Sequence, residues 1–211
     1  GFFHLITIAE FRILFRYCAL TFTGNVIFFL LYRVDYFFVE KYCTADQLGN
    51  YIQVSKLVHL FFILPTILAS AVFTMSAGEQ RYGINKLLPL LSRSIFLLYA
   101  FTCLVLGLVG QWLFPFVFGA SFTGMYHPFL MLIPGILALS GMFTITAYFA
   151  GKNKVKINII AAVYAFGVIL AGDIIFIPKY GIVAAAWVSS IGYIVYQIYI
   201  IRAFKKEYEC S

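Results

Sequence analysis

Apolar residues occur along this chain in runs that are too long for the core of a soluble domain. Three stretches of 22 residues or more contain no Asp, Glu, Lys or Arg, namely residues 57–78, 94–151 and 180–201. About 20 predominantly apolar residues are enough for a helix to cross the ~30 Å hydrocarbon core of a bilayer. The pattern therefore predicts an all-α fold, a polytopic membrane helix bundle.

Prolines and glycines indicate where the apolar runs break or bend. The uncharged stretch of residues 94–151 is too long for one span, and Pro115 together with residues 118–124 is expected to divide it. Pro65 and the Pro134 region are predicted kinks, because proline removes a helix hydrogen bond and clashes with the preceding turn. Residues 178–181 (PKYG) are predicted to form a tight turn.

These signals predict six spans in one transmembrane lobe that covers residues 1–211. The predicted spans are residues 17–40, 50–76, 87–113, 125–151, 155–177 and 181–204. Residues 1–15 mix apolar residues with charges and are expected to lie on the membrane surface ahead of the first span. Small residues spaced four apart, Ala161/Ala165, Gly167/Ala171 and Ala185/Ser189, are expected to bring helices into close contact.

Composition agrees with this prediction and excludes other classes. Hydrophobic residues make up 63% of the chain and charged residues 11%, with a mean hydropathy of +0.96, whereas a soluble domain has roughly 25% charged residues. The net charge of +7 does not indicate a nucleic-acid partner, because the basic residues form short clusters between apolar segments. The four cysteines show no CxxC pattern, and no metal-ligand spacing or cofactor motif occurs.

The distribution of Lys and Arg predicts the orientation in the membrane. With six spans, both termini and the second and fourth connectors lie on one side, which holds eleven basic residues. These are Arg12, Arg16, Arg81, Lys86, Arg93, Lys152, Lys154, Lys156, Arg202, Lys205 and Lys206. The other side holds two, Lys41 and Lys179. By the positive-inside rule, both termini are expected on the cytoplasmic side of a plasma membrane.

A group of polar residues near the end of the first predicted span is the candidate functional site. Arg33 and Asp35 flank a polar helical stripe, and ionisable residues within spans are costly and usually functional. The stripe consists of Thr21, Asn25, Tyr32, Tyr36 and Glu40. Gln53, Lys56 and His59 follow at a spacing of three residues at the start of the next span. Because a short loop joins the two spans, Arg33 or Lys56 could pair with Asp35 or Glu40.

Two interpretations of this polar group remain open. The side chains could line a hydrated cavity, where Arg33, Lys56 and His59 hold an anionic substrate and Asp35 or Glu40 senses a coupling cation. Alternatively, Arg33 and Asp35 could extend into the headgroups, because Asp35 lies ~27 Å along the helix from Tyr17, near the far edge of the hydrocarbon core. Asp173, near the outer end of the fifth predicted span, is expected to be solvated at the interface, with ion coupling as the alternative.

Several motifs in order resemble the C-terminal half of polysaccharide (Wzx-type) flippases, within the superfamily of multidrug, oligosaccharidyl-lipid and polysaccharide exporters. The matching residues are Asp35 followed by residues 48–51 (LGNY), Pro65, residues 118–122 (FGASF), and residues 177–182 (IPKYGI) ahead of residues 184–186. The resemblance extends from about Phe11 to Phe204. Ala184 stands where that family usually has glycine, and Asp173 where it commonly has asparagine.

The resemblance implies a MATE-like transporter of two six-helix lobes, of which this chain is the C-terminal one. Because the chain begins at Gly1 rather than Met, we expect an N-terminal lobe to precede it. The implied activity is alternating-access translocation of an undecaprenyl-diphosphate-linked oligosaccharide, with polysaccharide polymerase machinery as a further partner. Arg33, Lys56 and His59, with Asn25 and Tyr36, would then line the substrate cavity, and Asp35, Glu40 and Asp173 would be the ion-coupling candidates.

Three alternatives stay open on the sequence. A cation-coupled multidrug exporter shares the same helical plan but favours carboxylates over arginine in its cavity. A membrane-embedded glycosyltransferase or acyltransferase would need a catalytic group on a loop, and the connectors offer no convincing one. A structural membrane protein without transport activity does not account for ionisable residues within spans.

Overall fold

A computed structural model of the chain describes residues 8–78 and 84–209, and within these residues every regular element is a helix. The helices are α1 (Ile8–Leu31), α2 (Val34–Tyr42), α3 (Ala45–Phe61), α4 (Ile63–Ala77), α5 (Ile84–Phe118), α6 (Tyr126–Leu139), α7 (Met142–Gly151) and α8 (Val155–Glu209). A short 3₁₀ helix, Ala120–Met125, precedes α6. The predicted all-α class is confirmed.

Within residues 8–78 and 84–209, five helical stretches are long and apolar enough to cross a membrane. They are Leu14–Tyr42, Ala45–Ala77, Leu87–Phe118, Ala120–Gly151 and Val155–Glu207. Large hydrophobic side chains remain exposed along their outer faces, as in Phe101, Leu108 and Phe116 of α5. Such faces are compatible with a lipid environment, where apolar side chains need no covering by protein.

The last stretch, α8, doubles back on itself. Gly181 has φ 61° and ψ −145°, a conformation open to glycine because it has no Cβ. Residues on either side of it are in contact: a Cβ atom placed on Gly172 would lie 2.5 Å from Val188 Cγ1, and one on Gly192 would lie 2.3 Å from Ile169 Cγ1. In a straight helix, residues 172 and 188 would be ~24 Å apart. The chain therefore forms two antiparallel limbs, residues 155–180 and 182–209.

The helices pack around α8. Its most extensive contacts are with α6, followed by α1 and α2, while α4 packs on α7. Of the small-residue pairs, Ala161, Ala165, Ala185 and Ser189 are fully buried. The pair of Gly167 and Ala171 is exposed, with no neighbour near Gly167, so the expectation that this pair brings helices together was wrong.

The predicted break at Pro65 is confirmed. Helix α3 ends at Phe61 and α4 begins at Ile63, with a 3₁₀-like hydrogen bond from Phe62 N to His59 O of 3.0 Å at the junction. Pro65 has no N–H to donate to the carbonyl of Phe61 one turn earlier, so the helix bends there.

The predicted division of the long uncharged stretch is confirmed within residues 118–124: helix α5 continues through Pro115 to Phe118, and the break falls at Gly119, which has φ 102°. The predicted kink at Pro134 was wrong, because Pro134 lies inside α6 and the chain bends instead at Ser140 and Gly141. Proline removes only one hydrogen bond, and neighbouring helices can hold the rest of the helix in place.

The first span also differs from the prediction. Helix α1 already begins at Ile8, so the part of the expected surface lead-in that the structure describes is continuous with the span; residues 1–7 lie outside the described residues. The span is interrupted at Tyr32 and Arg33, where Arg33 N donates to Leu30 O at 3.1 Å. The break thus occurs within the candidate polar group.

Candidate functional site

Asp35 lies in the protein interior at the start of α2. It is 2% exposed, so extension of this side chain into the headgroups is ruled out. Its Oδ1 accepts a hydrogen bond from the backbone N–H of Tyr36 at 2.9 Å. Its Oδ2 accepts from the hydroxyl of Tyr51 and from Ser189 Oγ, the latter at 3.2 Å.

Three separate segments form this hydrogen-bonded group. Tyr51 lies in α3, whose start is fixed by a capping box in which Thr44 and Gln47 bond reciprocally. Ser189 lies in the second limb of α8, 154 residues away from Asp35 along the chain. Both side chains are buried. The carboxylate therefore joins α2, α3 and α8 through neutral hydroxyl donors.

Asp173 is a second buried carboxylate, close enough to Asp35 for the two to interact electrostatically. It is fully buried, so the expectation of interfacial solvation was wrong. The α8 hairpin is the reason: the contact of Gly172 with Val188 brings the first limb beside Ser189. Among the described residues, neither oxygen of Asp173 has a hydrogen-bond partner.

Aromatic rings enclose the carboxylates on the side of α1 and α3. The ring of Tyr32 lies 5.6 Å from that of His59 and 5.6 Å from that of Tyr193, and the rings of Tyr36 and Tyr51 are 5.7 Å apart. Tyr193 and Tyr51 are buried, whereas Tyr32 and His59 are partly exposed. Tyr32 and His59 therefore form the outer boundary of the group.

A small cavity lies between these rings and Asp35. Its volume is about 10 Å³, and its polar lining consists of Tyr32, Asp35, Tyr51, Ser55, His59 and Tyr193. This is about the space of a single water molecule. A wider groove of about 500 Å³, bordered by Tyr32, His59, Phe62 and Thr66, opens to the surface and shares the two boundary rings with the small cavity.

The predicted cation–carboxylate pairs do not form in the part of the chain that the structure describes. Salt bridges there join only Lys152 and Lys154 to Glu207. The Arg33 guanidinium instead lies over the ring of Tyr36, 4.9 Å from its centroid. Lys56 and Glu40 are exposed, so the expected pairing of Arg33 or Lys56 with Asp35 or Glu40 was wrong.

The structure thus divides the predicted site residues into two groups. Asp35, Tyr36 and His59 lie around the small cavity or its wall, and Asp173 interacts electrostatically with Asp35. Asn25, Glu40 and Lys56 lie on the outer surface. Arg33 lies between the groups, half-buried and stacked on Tyr36.

Sequence reasoning missed three residues of this group: Tyr51, Ser189 and Tyr193. Tyr51 ends the LGNY motif, and Ser189 belongs to a small-residue pair, but neither pattern indicates a hydrogen bond to a carboxylate. The sequence did show that each of these helices carries a hydroxyl group. It did not show which carboxylate the hydroxyl would contact, because that depends on how α3 and α8 pack.

The chemistry available here is the binding of a small cation or a proton. The two carboxylates can supply negative charge, and the hydroxyls of Tyr51 and Ser189 fix the orientation of Asp35. Within the described ranges, no cluster of three or more His, Cys, Asp or Glu side chains suited to a metal ion occurs.

Comparison of the chain with known protein families, curated proteins and solved structures finds no match.

Proposed function

We propose that this chain is one six-helix lobe of a membrane flippase that moves a lipid-linked oligosaccharide, carried on undecaprenyl diphosphate, across a prokaryotic plasma membrane by alternating access. The motif resemblance supports this substrate class. A second, N-terminal lobe of the same protein would complete the transport cavity, and polysaccharide polymerase machinery would act on the product.

The fold-back of α8 supports a count of six spans. In the part of the chain that the structure describes, five stretches are long and apolar enough to cross a membrane, and the fifth, Val155–Glu207, contains 53 residues. About 20 residues cross the hydrocarbon core, so each limb on either side of Gly181 is long enough for one span. With six spans, both termini lie on the same side of the membrane. The distribution of Lys and Arg favours the cytoplasmic side.

The buried Asp35 is the observation that most favours transport. A carboxylate within a membrane span is costly, and such residues usually mark ion or substrate pathways. Asp35 is held by neutral donors, without a cationic partner among the described residues, and borders a small polar cavity next to a surface groove. A purely structural carboxylate would be expected to have a cationic partner.

In the proposed mechanism, Asp35 and Asp173 bind the coupling cation. Its entry would pass Tyr32 and His59, which separate the groove from the small cavity. Cation binding would neutralise the carboxylates, and this would change the packing of α2 and α8, which Asp35 joins through Ser189. Arg33 and Lys56, further outward, would attract the substrate diphosphate.

Reconstituted transport tests this proposal directly. The full natural protein that contains this chain would be placed in liposomes with a fluorescent undecaprenyl-diphosphate oligosaccharide, and an impermeant reagent would measure its movement between leaflets. We expect Asp35→Asn to abolish translocation while Glu40→Gln, at an exposed carboxylate of the same helix, retains it. Equal translocation by both variants would refute the role of Asp35, and no translocation by the native protein would refute the substrate.

A cation-coupled multidrug exporter is the second candidate, and one observation favours it. Among the described residues, the buried acidic or basic side chains are two carboxylates, while Arg33 stacks on Tyr36 instead of pairing with them. A cationic drug would be attracted by such a site. Export of a fluorescent cationic dye by the same liposomes, without movement of the lipid-linked sugar, would favour this candidate over the first.

A further inference from the structure

A cavity of about 930 Å³ lies at the opposite end of the bundle from Asp35. Arg16 borders it from α1, and the 19 residues between Arg16 and Asp35 correspond to ~29 Å along a helix. Phe73 borders it near the end of α4, and Lys154 and Lys156 border it at the start of α8. It is therefore distinct from the site proposed for cation coupling.

The floor of this cavity is a close helix contact. A Cβ atom placed on Gly151, at the end of α7, would lie 2.7 Å from the carbonyl oxygen of Phe73. The absence of a side chain at Gly151 lets α7 and α4 approach, and α1 forms the opposite wall. The cavity is thus bordered by four helices of the bundle.

The cavity combines two kinds of wall. Leu14, Leu20 and Phe73 supply apolar surface, and Leu14 and Phe73 are 54% and 40% exposed. Arg16, Lys154 and Lys156 supply positive charge at the rim. A ligand that satisfies both walls has an anionic head and an apolar body.

Two of the three cations have no charge partner within the described part of the chain. Lys154 donates to Glu207 Oε1 at 2.6 Å, and Lys152 lies 3.6 Å from the same carboxylate. Arg16 and Lys156 take part in neither of these salt bridges. Their charges are available to an external anion, and an arginine guanidinium matches the geometry of phosphate oxygens.

We propose that this cavity binds an anionic phospholipid, with the phosphodiester between Arg16 and Lys156 and an acyl chain along Leu14, Leu20 and Phe73. Basic pockets between membrane helices bind anionic headgroups in this way. The volume favours a lipid over free phosphate, because a phosphate ion would fill only a small part of 930 Å³. The proposal does not rest on the transport activity proposed above.

Lipid binding to the purified full protein in detergent tests the proposal. Phosphatidylglycerol would be titrated and the bound fraction measured by native mass spectrometry, with phosphatidylcholine as the neutral comparison. Each basic residue near a membrane surface contributes about 1 kcal/mol, or roughly fivefold, to the binding of anionic lipid. We expect the double variant Arg16→Gln/Lys156→Gln to weaken phosphatidylglycerol binding roughly 25-fold and to leave phosphatidylcholine binding unchanged.

A matched control separates a specific site from general surface charge. Lys41→Gln/Lys179→Gln also removes two positive charges, but from exposed positions at the other end of the bundle. This variant should leave phosphatidylglycerol binding unchanged. Arg16→Lys/Lys156→Arg should restore binding, because it keeps both charges. Equal weakening by the control, or equal affinity for phosphatidylcholine, would refute the proposal.

Two competitors distinguish the sources of the phosphate. Inorganic phosphate at millimolar concentration should not displace phosphatidylglycerol. Displacement would show that the cavity binds free phosphate and would overturn its assignment to phospholipid. Undecaprenyl phosphate should compete more weakly than phosphatidylglycerol. Stronger competition would identify the cavity as a substrate site and overturn its assignment to phospholipid, while leaving the transport proposal intact.

Discussion

The phenol of Tyr51 donates a hydrogen bond to the carboxylate of Asp35, although the two residues lie on different helices. Both side chains are buried. A hydrogen bond to a charged group contributes more to stability than one between neutral groups, and its loss leaves a buried oxygen without a partner. The contact therefore stabilises the packing of α2 on α3 and also fixes the carboxylate.

Tyr51→Phe should lower the free energy of unfolding by about 1.5–3 kcal/mol, because the ring is kept and only the donor is lost. Denaturant unfolding in detergent measures this change. The matched control is Tyr180→Phe, at a tyrosine that is 67% exposed, and it should change stability by less than about 0.5 kcal/mol. A similar loss in both variants would contradict the assigned hydrogen bond.

Asp173→Asn should behave differently from Asp35→Asn. Neither oxygen of Asp173 has a hydrogen-bond partner among the described residues, so replacing the carboxyl group with an amide of the same shape loses no hydrogen bond and removes the cost of ionising a buried group. We expect an unchanged or higher free energy of unfolding for Asp173→Asn, together with loss of the cation dependence of transport. Asp35→Asn should lower the stability, because its carboxylate accepts three hydrogen bonds.

The same unfolding measurement checks both variants, and flux under an imposed cation gradient checks the coupling. Destabilisation by Asp173→Asn of more than about 2 kcal/mol would assign a structural role to that carboxylate. Unchanged cation dependence in both variants would remove the carboxylates from the coupling site.

The sequence was sufficient for the helical class and for the position of most breaks. Uncharged runs longer than a soluble core allows predicted the apolar helices, and Pro65 marked a true bend. Pro115 and Pro134 did not, because one missing hydrogen bond is tolerated where neighbouring helices hold the backbone. Gly119 and Gly181 have positive φ, and each lies at a break, whereas Pro115 and Pro178 nearby lie inside helices.

The candidate site was only partly predictable. Asp35 was identifiable because a carboxylate in an apolar span is rare. Its partner Ser189 lies 154 residues away and contacts it through the packing of α8, which helical periodicity does not determine. The burial of Asp173 likewise depends on the fold-back at Gly181, whereas distance from the predicted turn suggested an interfacial position.

Gly135→Ala should destabilise the packing of α6 on α8. A Cβ atom at Gly135 would lie 2.9 Å from Ser190 Cα, a backbone atom that cannot move without shifting α8. Overpacking of this kind costs about 1–3 kcal/mol. Gly167→Ala is the control, since nothing lies within 4 Å of its added methyl, and it should stabilise the helix by about 0.5–1 kcal/mol. Thermal unfolding in detergent compares them, and equal effects would contradict the close approach.

The two-limb arrangement of α8 also predicts which positions face opposite sides of the membrane. Asn153 precedes the first limb and Lys179 lies next to its end, and both are exposed. The sulfur of Cys43 would lie 3.7 Å from a Cβ atom on Gly181, so Cys43 marks the same end as Lys179. Partial burial raises the pKa of the Cys43 thiol, which slows its reaction with maleimides because the thiolate is the nucleophile.

Single cysteines at Lys179 and Asn153 should therefore react from opposite sides. In full-length protein with every native cysteine replaced by alanine, we expect an impermeant maleimide to label Lys179→Cys in intact cells. Asn153→Cys should become labelled only after the membrane is permeabilised, because six spans with cytoplasmic termini place it inside. Restoring Cys43 alone should give slower labelling from the outside. Labelling of both introduced cysteines from one side would mean that the limbs of α8 do not each cross the membrane, and would refute the six-span lobe.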